Sequence, residues 1–218
     1  MKYKSRSVTG ILLAFLFTFH CSLVSFAAEP ASIKLPAAQK AGGKPLMAAL
    51  NGRMSSRSFS GEKLPVQTLS NLLWAAFGIN RPDGKRTAPS ALNRQETDIY
   101  VITADGAYLY DAKKNTLEGV LKKDIRTTAG TQDYVKDAPL TLVYVADYSK
   151  ARAGSADNQL LVGADVGVIA ENVYLFCASE GLATVVRAAI DRDALGRELK
   201  LRPQQKIILD QPVGYPKK

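Results

Sequence analysis

The stretch from Asp165 to Glu180 constrains the fold more than any other, because it is apolar on two sides of what reads as one helix. Val166, Ile169, Ala170, Val173, Phe176 and Cys177 recur at helical spacing and form one seam; Val168, Leu175 and Leu182 form a second. Gly181 supplies the stop. A helix on the surface of a domain needs one apolar stripe, so a helix with two must be covered twice. Two arrangements satisfy this. The helix is either central within one chain, or the core of a homodimer with its second seam against a symmetry mate.

The neighbouring segments predict what surrounds it. A short helix is expected from Pro45 through Leu46, Met47 and Leu50. A second starts at Pro65, carries Leu69, Leu72, Leu73 and Ala76, and ends near Gly78. Asp98 to Thr103 reads as a strand, Asp105-Gly106 as a hairpin turn, and Tyr108-Leu-Tyr110 as the returning strand. Leu140 to Tyr148 is a more continuous apolar strand. Val185-Val186 and Lys206 to Leu209 complete the strands, with a short helix around Leu195 and Leu199 between them. Hairpins mixed with helices point to an α+β domain, not to a doubly wound sheet.

Residues 1–27 have the layout of a secretory signal peptide. Lys2, Lys4 and Arg6 precede an apolar run from Ile11 to about Phe26, and small residues close it at Ser25-Phe26-Ala27-Ala28. Cleavage is expected after Ala27, which would make the chain exported and periplasmic; the alternative reading is an uncleaved membrane anchor, for which the apolar run is short. Residues 28–44, with Pro30, Pro36, Gly42 and Gly43, read as a flexible tether, which leaves 45–218 as one domain.

Export changes the chemistry on offer. His20 and Cys21 leave with the signal peptide, so the mature chain has no histidine and one cysteine, Cys177. An intramolecular disulfide, histidine-based metal sites and Ser-His-Asp or Cys-His nucleophile systems are thereby excluded. The net charge falls from +9 to +6 as three cations depart (9 − 3 = 6). That balance suits anionic ligands, yet no basic run with interleaved aromatics suggests nucleic acid. A chain so poor in reactive side chains must borrow its chemistry.

Four segments could hold what is borrowed. Arg53-Met-Ser55-Ser-Arg57-Ser-Phe59 sets two guanidinium forks and a hydroxyl close together, which reads either as a basic turn or as a phosphate site. Pro89-Ser90-Ala-Leu-Asn93-Arg-Gln95 reads as a polar loop, or as a stiff loop whose amide groups suit a heteroaromatic edge. Gly181-Leu-Ala-Thr-Val-Val says that a helix ends and a strand begins. Gly214-Tyr-Pro-Lys217-Lys218 closes the chain with two cations.

Taken together and in this order, these segments resemble the nitroreductase superfamily, over most of the chain from Pro45 onward. The Arg-x-Ser-x-Arg and Pro-Ser-x-x-Asn-x-Gln pair carries the likeness, with Leu69-Ser-x-Leu-Leu-Trp-Ala-Ala between them. Trp74 to Ala91 looks most like the branch that includes azoline dehydrogenases. The resemblance implies a three-layer fold, a mixed or antiparallel sheet flanked by helices, with the long helix at a dimer interface. It implies FMN as cofactor and no catalytic side chain. Arg53, Ser55 and Arg57 would hold the phosphate and reach the pyrimidine edge, with Arg57 the cation there. Pro89, Ser90 and Asn93 would line the ribityl chain and ring. Ala188 and Ala189, where many relatives carry Glu-Gly, would offer backbone N–H groups to flavin N5. Lys217 or Lys218 would complete the phosphate site. The implied activity is ping-pong hydride transfer from NAD(P)H, or a substitute donor, to nitroaromatic or quinone-like acceptors. An FMN-dependent dehydrogenase of a peptide or small metabolite, and a flavin-binding protein without turnover, are the competing readings.

Overall fold

An apolar run without alternation has to be covered on both faces, and the eight residues Leu140–Asp147 are all buried. The computed structural model describes Met1, residues 30–150 and residues 156–218. The signal-peptide features, including His20 and Cys21, fall outside these. The strands are β1 (Ile33–Lys34), β2 (Thr97–Thr103), β3 (Gly106–Asp111), β4 (Thr116–Leu121), β5 (Leu140–Asp147), β6 (Ala183–Thr184) and β7 (Gln205–Gly214). The helices are α1 (Leu46–Gly52), α2 (Val66–Phe77), α3 (Arg126–Ala129), α4 (Ala156–Glu180) and α5 (Arg192–Glu198).

All seven strands form one sheet in the order β1-β4-β3-β2-β5-β7-β6. Every pairing is antiparallel. Period-two alternation sorts the side chains of the central strands into two layers. Ile99, Val101, Leu142 and Tyr144 pack under α2 and α4, against Leu72, Leu73, Val166, Ile169 and Val173. Tyr100, Ile102, Val143 and Val145 face the opposite way, toward α3 and α5. The α+β, three-layer expectation therefore holds.

The long helix begins at Ala156, nine residues earlier than its apolar seams suggest. Its first seam is core: Val162, Val166, Ile169, Ala170, Val173 and Cys177 are buried. The second seam divides. Leu182 is buried within its own chain and Leu175 is half-buried, whereas Val168 keeps 40% of its surface exposed. Leu161, Val168 and Leu175 repeat every seven residues, so they lie in one line along the helix. The outer surface of α1 is also apolar, with Leu46, Met47 and Leu50 exposed.

Of the expected flexible tether 28–44, the described part from residue 30 onward is held to the domain, because Ile33–Lys34 pairs with β4 and Leu35 is buried. The Ser70 hydroxyl and the Asn115 amide both donate to Pro36 O, at 2.6 and 2.8 Å. Strand β4, polar in sequence, and the four-residue helix α3 were not anticipated. Val185-Val186 lies just beyond β6, in a segment joined to β7 only by the Arg187–Asp210 bridge.

Candidate active site

Helix α4 organises two groups of the residues singled out in the sequence. Near its C-terminal end stands Tyr174. Its hydroxyl lies 2.8 Å from Ser55 Oγ and accepts the Val186 N–H at 2.9 Å. The Arg53 guanidinium sits 5.2 Å from the centre of the Tyr174 ring, a cation–π arrangement. The backbone reinforces this. Ser56 N–H donates to Thr184 O at 2.9 Å, and Lys217 N–H donates to Ser58 O at 3.4 Å. Arg57 is therefore held between β6 on one side and the C-terminal segment on the other. Phe59 bridges to Pro216 and is buried.

The first motif, the segment after Gly181 and the terminal lysines thus converge. Among the described residues, none of Arg53, Arg57, Lys217 and Lys218 is paired with an acid. Four uncompensated cations around two serines make a strongly electropositive corner. Beside it, Met54, Ser56, Tyr174, Leu182 and Pro216 line a cavity of about 240 Å³.

The second motif sits elsewhere. Asp165 of α4 accepts the Ala91 N–H at 2.9 Å, and Ser90 Oγ accepts the Gln95 N–H at 2.9 Å. Asn93 Oδ1 accepts from Gln95 Nε2 at 3.1 Å. Leu92, Asn93 and Gln95 all have positive φ, near 50–55°, which is costly for residues with side chains and is concentrated at functional sites. Leu92, 82% exposed, stands at the tip, and Pro89 is exposed beside it. Below the loop, burial holds the Glu96 carboxyl above its usual range, with Asp165 adding to the effect. Asp165 and Tyr174 are nine residues apart, which on an α-helix is about 13 Å along the axis and half a turn around it. Within one chain, Pro89, Ser90 and Asn93 do not meet Arg53, Ser55 and Arg57.

Ala188 and Ala189 are exposed, and neither N–H donates to another described residue. Behind them lies a buried pair. Arg187 Nη2 stands 3.6 Å from Asp210 Oδ2, and both side chains are almost wholly enclosed. Burial pushes the Asp210 carboxyl up to about 7, against the pull of Arg187. The residue types gave no sign of this pair, nor of Tyr174, because what singles them out is burial and contact across the sheet.

The nitroreductase family profile matches residues 50–215. The chain belongs to the nitroreductase family. A crystal structure of a provisionally named nitroreductase from Ralstonia eutropha JMP134 is 39% identical, superposes with a TM-score of 0.82, and aligns over 87% of this chain and 91% of its own. A provisionally named nitroreductase of Methanocaldococcus jannaschii is 29% identical over 173 residues, spanning 74% of this chain and 86% of the relative. A nitroreductase-family structure from Clostridium difficile shares the fold at 21% identity and a TM-score of 0.59, over 80% and 86% of the two chains. Family membership makes oxidoreduction the class of chemistry. The electropositive corner, the strained loop and the exposed N–H groups are the parts of this family member available for it.

Proposed function

We propose that this chain is an exported, periplasmic, FMN-dependent oxidoreductase that passes electrons from NAD(P)H or a substitute donor to nitroaromatic or quinone-like acceptors, and that it works as a homodimer. The observation that carries the reading is the corner where the Arg53–Arg57 segment meets Tyr174, β6 and the C-terminal segment, with its cations unpaired among the described residues. Its unpaired cations suit a phosphate monoester, for which arginine offers forked donors. Bound FMN supplies the two-electron chemistry at its N5 edge. The chain's own residues bind and orient. Arg53, Ser55 and Lys217 or Lys218 would hold the phosphate, Arg57 would place positive charge by the pyrimidine edge, and the Ala188 and Ala189 N–H groups would serve N5.

Dimerisation follows from the separation of the two motifs. The Ser90–Asn93 loop is held at Asp165 and the phosphate corner at Tyr174, half a turn apart on α4, which supports a pocket that a second copy would complete with its own loop. The exposed apolar line of α4 and the outer surface of α1 suit such a contact.

The test is cofactor binding. Mature protein should bind FMN much more tightly than riboflavin, which lacks the phosphate. Arg53→Ala with Arg57→Ala should purify largely colourless, since each charge-assisted bond contributes roughly 1.5–3 kcal/mol. A double variant that keeps full FMN occupancy overturns the assignment. Anaerobic mixing with NADH and NADPH then tests the donor through the loss of the flavin absorption band.

A further inference from the structure

A buried arginine is costly unless its donors are used, since taking a charge out of water is offset only by pairing and hydrogen bonds. Arg187 is 5% exposed, yet among the described residues its Nε and Nη1 have no hydrogen-bond partner, and neither oxygen of Asp210 has one. The guanidinium donates from Nη2 to Ala189 O at 2.7 Å. Its surroundings hold it there. Arg187 N–H donates to Asp210 O at 2.8 Å and Asp210 N–H donates back to Arg187 O at 3.1 Å, which fixes its backbone. The Tyr134 ring lies 5.7 Å from the guanidinium carbon. On another side is Gly130, where a Cβ would come within 2.2 Å of Nη1. A second arginine secures the preceding carbonyl, with Arg192 Nη1 donating to Ala188 O at 3.3 Å and Nη2 to Ile208 O at 2.9 Å.

A trans peptide is planar, with its N–H opposite its C=O. Holding Ala188 O on the arginine side therefore turns the Ala189 N–H away from it, toward the exposed surface. Holding Ala189 O fixes the next peptide, whose Ile190 N–H donates to Ala188 O at 3.0 Å, so Arg187 reaches the Ala188 carbonyl, and with it the Ala189 N–H, through that bond. We infer that Arg187 is a positioning residue: seated in the notch left by Gly130 and countered by Asp210, it holds Ala189 O and, through the Ile190 N–H on Ala188 O, acts with Arg192 to aim the Ala189 N–H at the bound cofactor. The inference rests on the FMN reading above and deepens it. Where other sites would rely on a side chain to define this edge, two alanines contribute only backbone, and the direction of that backbone is set from behind.

The experiment uses mature, FMN-loaded protein and compares wild type, Gly130→Ala, Arg187→Met and the double variant. Gly130 has φ −154°, open to any residue, so its replacement acts through the guanidinium and not through backbone strain. Each variant is read for FMN affinity and for the ratio of reduced to oxidised flavin at a fixed electrode potential. The phosphate corner is untouched, so affinity should change by less than that ratio does. The ratio should change by about fivefold, the equivalent of one neutral hydrogen bond of roughly 1 kcal/mol. The double variant should match Arg187→Met, because Gly130 matters only through the group it seats. Folded variants with unchanged ratios, or effects of Gly130→Ala and Arg187→Met that add, overturn the positioning role. Should Arg187→Met fail to fold, Gly130→Ala decides alone. A folded wild type that takes up no FMN defeats the reading of the site itself, an outcome distinct from the others.

Discussion

Tyr174 joins three segments through one hydroxyl, since Ser55 and Val186 both reach it while Arg53 lies over its ring. Tyr174→Phe keeps the ring and removes the hydroxyl, leaving the Val186 N–H without a partner. The cost should be about 1–3 kcal/mol of stability, the penalty of an orphaned donor. Thermal unfolding measures it, and FMN affinity should fall alongside as the phosphate segment loosens. Cys177, the one cysteine among the described residues, is buried in the same helix, and burial pushes its thiol well above the usual range. It should react with a thiol reagent at pH 8 only on unfolding; rapid labelling of native protein would contradict this burial. Residue types at fixed spacing made Arg53, Ser55, Arg57, Ser90 and Asn93 visible in the sequence. Tyr174 and Arg187 were not visible, because an aromatic residue in a helix and an arginine after two valines carry no signature until their neighbours across the fold are known.

Legibility also differed among the elements. β5 and α2 were readable because burial on both faces, or on one stripe, leaves a strong periodic signal. β1 and β4 were not, since they lie at the sheet edge, where Ile33 and Lys34 are exposed and Thr-Leu-Glu-Gly-Val-Leu carries little apolar contrast. What holds that edge is polar and local. Glu118 accepts from Ser32 Oγ at 2.6 Å, and this bond, aided by Thr116 and Lys114, holds its carboxyl down at about 2 from an ordinary 4.5. A depressed carboxyl contributes stability that is fully present above 4.5 and is lost as pH falls through 2. Ser32→Ala should therefore lower the melting temperature slightly at neutral pH, and the difference should fade across that window; a difference that persists at lower pH refutes the linkage. Gly119 tests the same edge by shape. A Cβ there would come within 1.7 Å of Pro30 O, so Gly119→Ala should detach the segment. Trypsin should then cut after Lys34 faster, with the rest of the domain intact.

At the scale of the whole molecule, the apolar line of Leu161, Val168 and Leu175 asks for a partner, and Val168 is the cleanest probe because it is exposed within its own chain. Val168→Asp should leave a single chain folded by circular dichroism. In a dimer it would bury an unpaired charge, which costs several kcal/mol. The expected result by light scattering is a dimeric wild type and a monomeric variant that has also lost FMN. A wild type that is monomeric at micromolar concentration yet fully loaded refutes the dimer. The opposed placement of the two motifs on α4 has a further consequence, one of counting. If each pocket draws its arginines from one chain and its Asn93 loop from the other, two defective chains can repair one another. A chain carrying Arg53→Ala and Arg57→Ala, co-expressed with one carrying Ser90→Ala and Asn93→Ala, gives mixed dimers in which one pocket collects every lesion and the other none. Random assortment of a two-fold dimer would restore roughly a quarter of the wild-type pockets from two inactive parents. Pockets built wholly within one chain would show no such complementation.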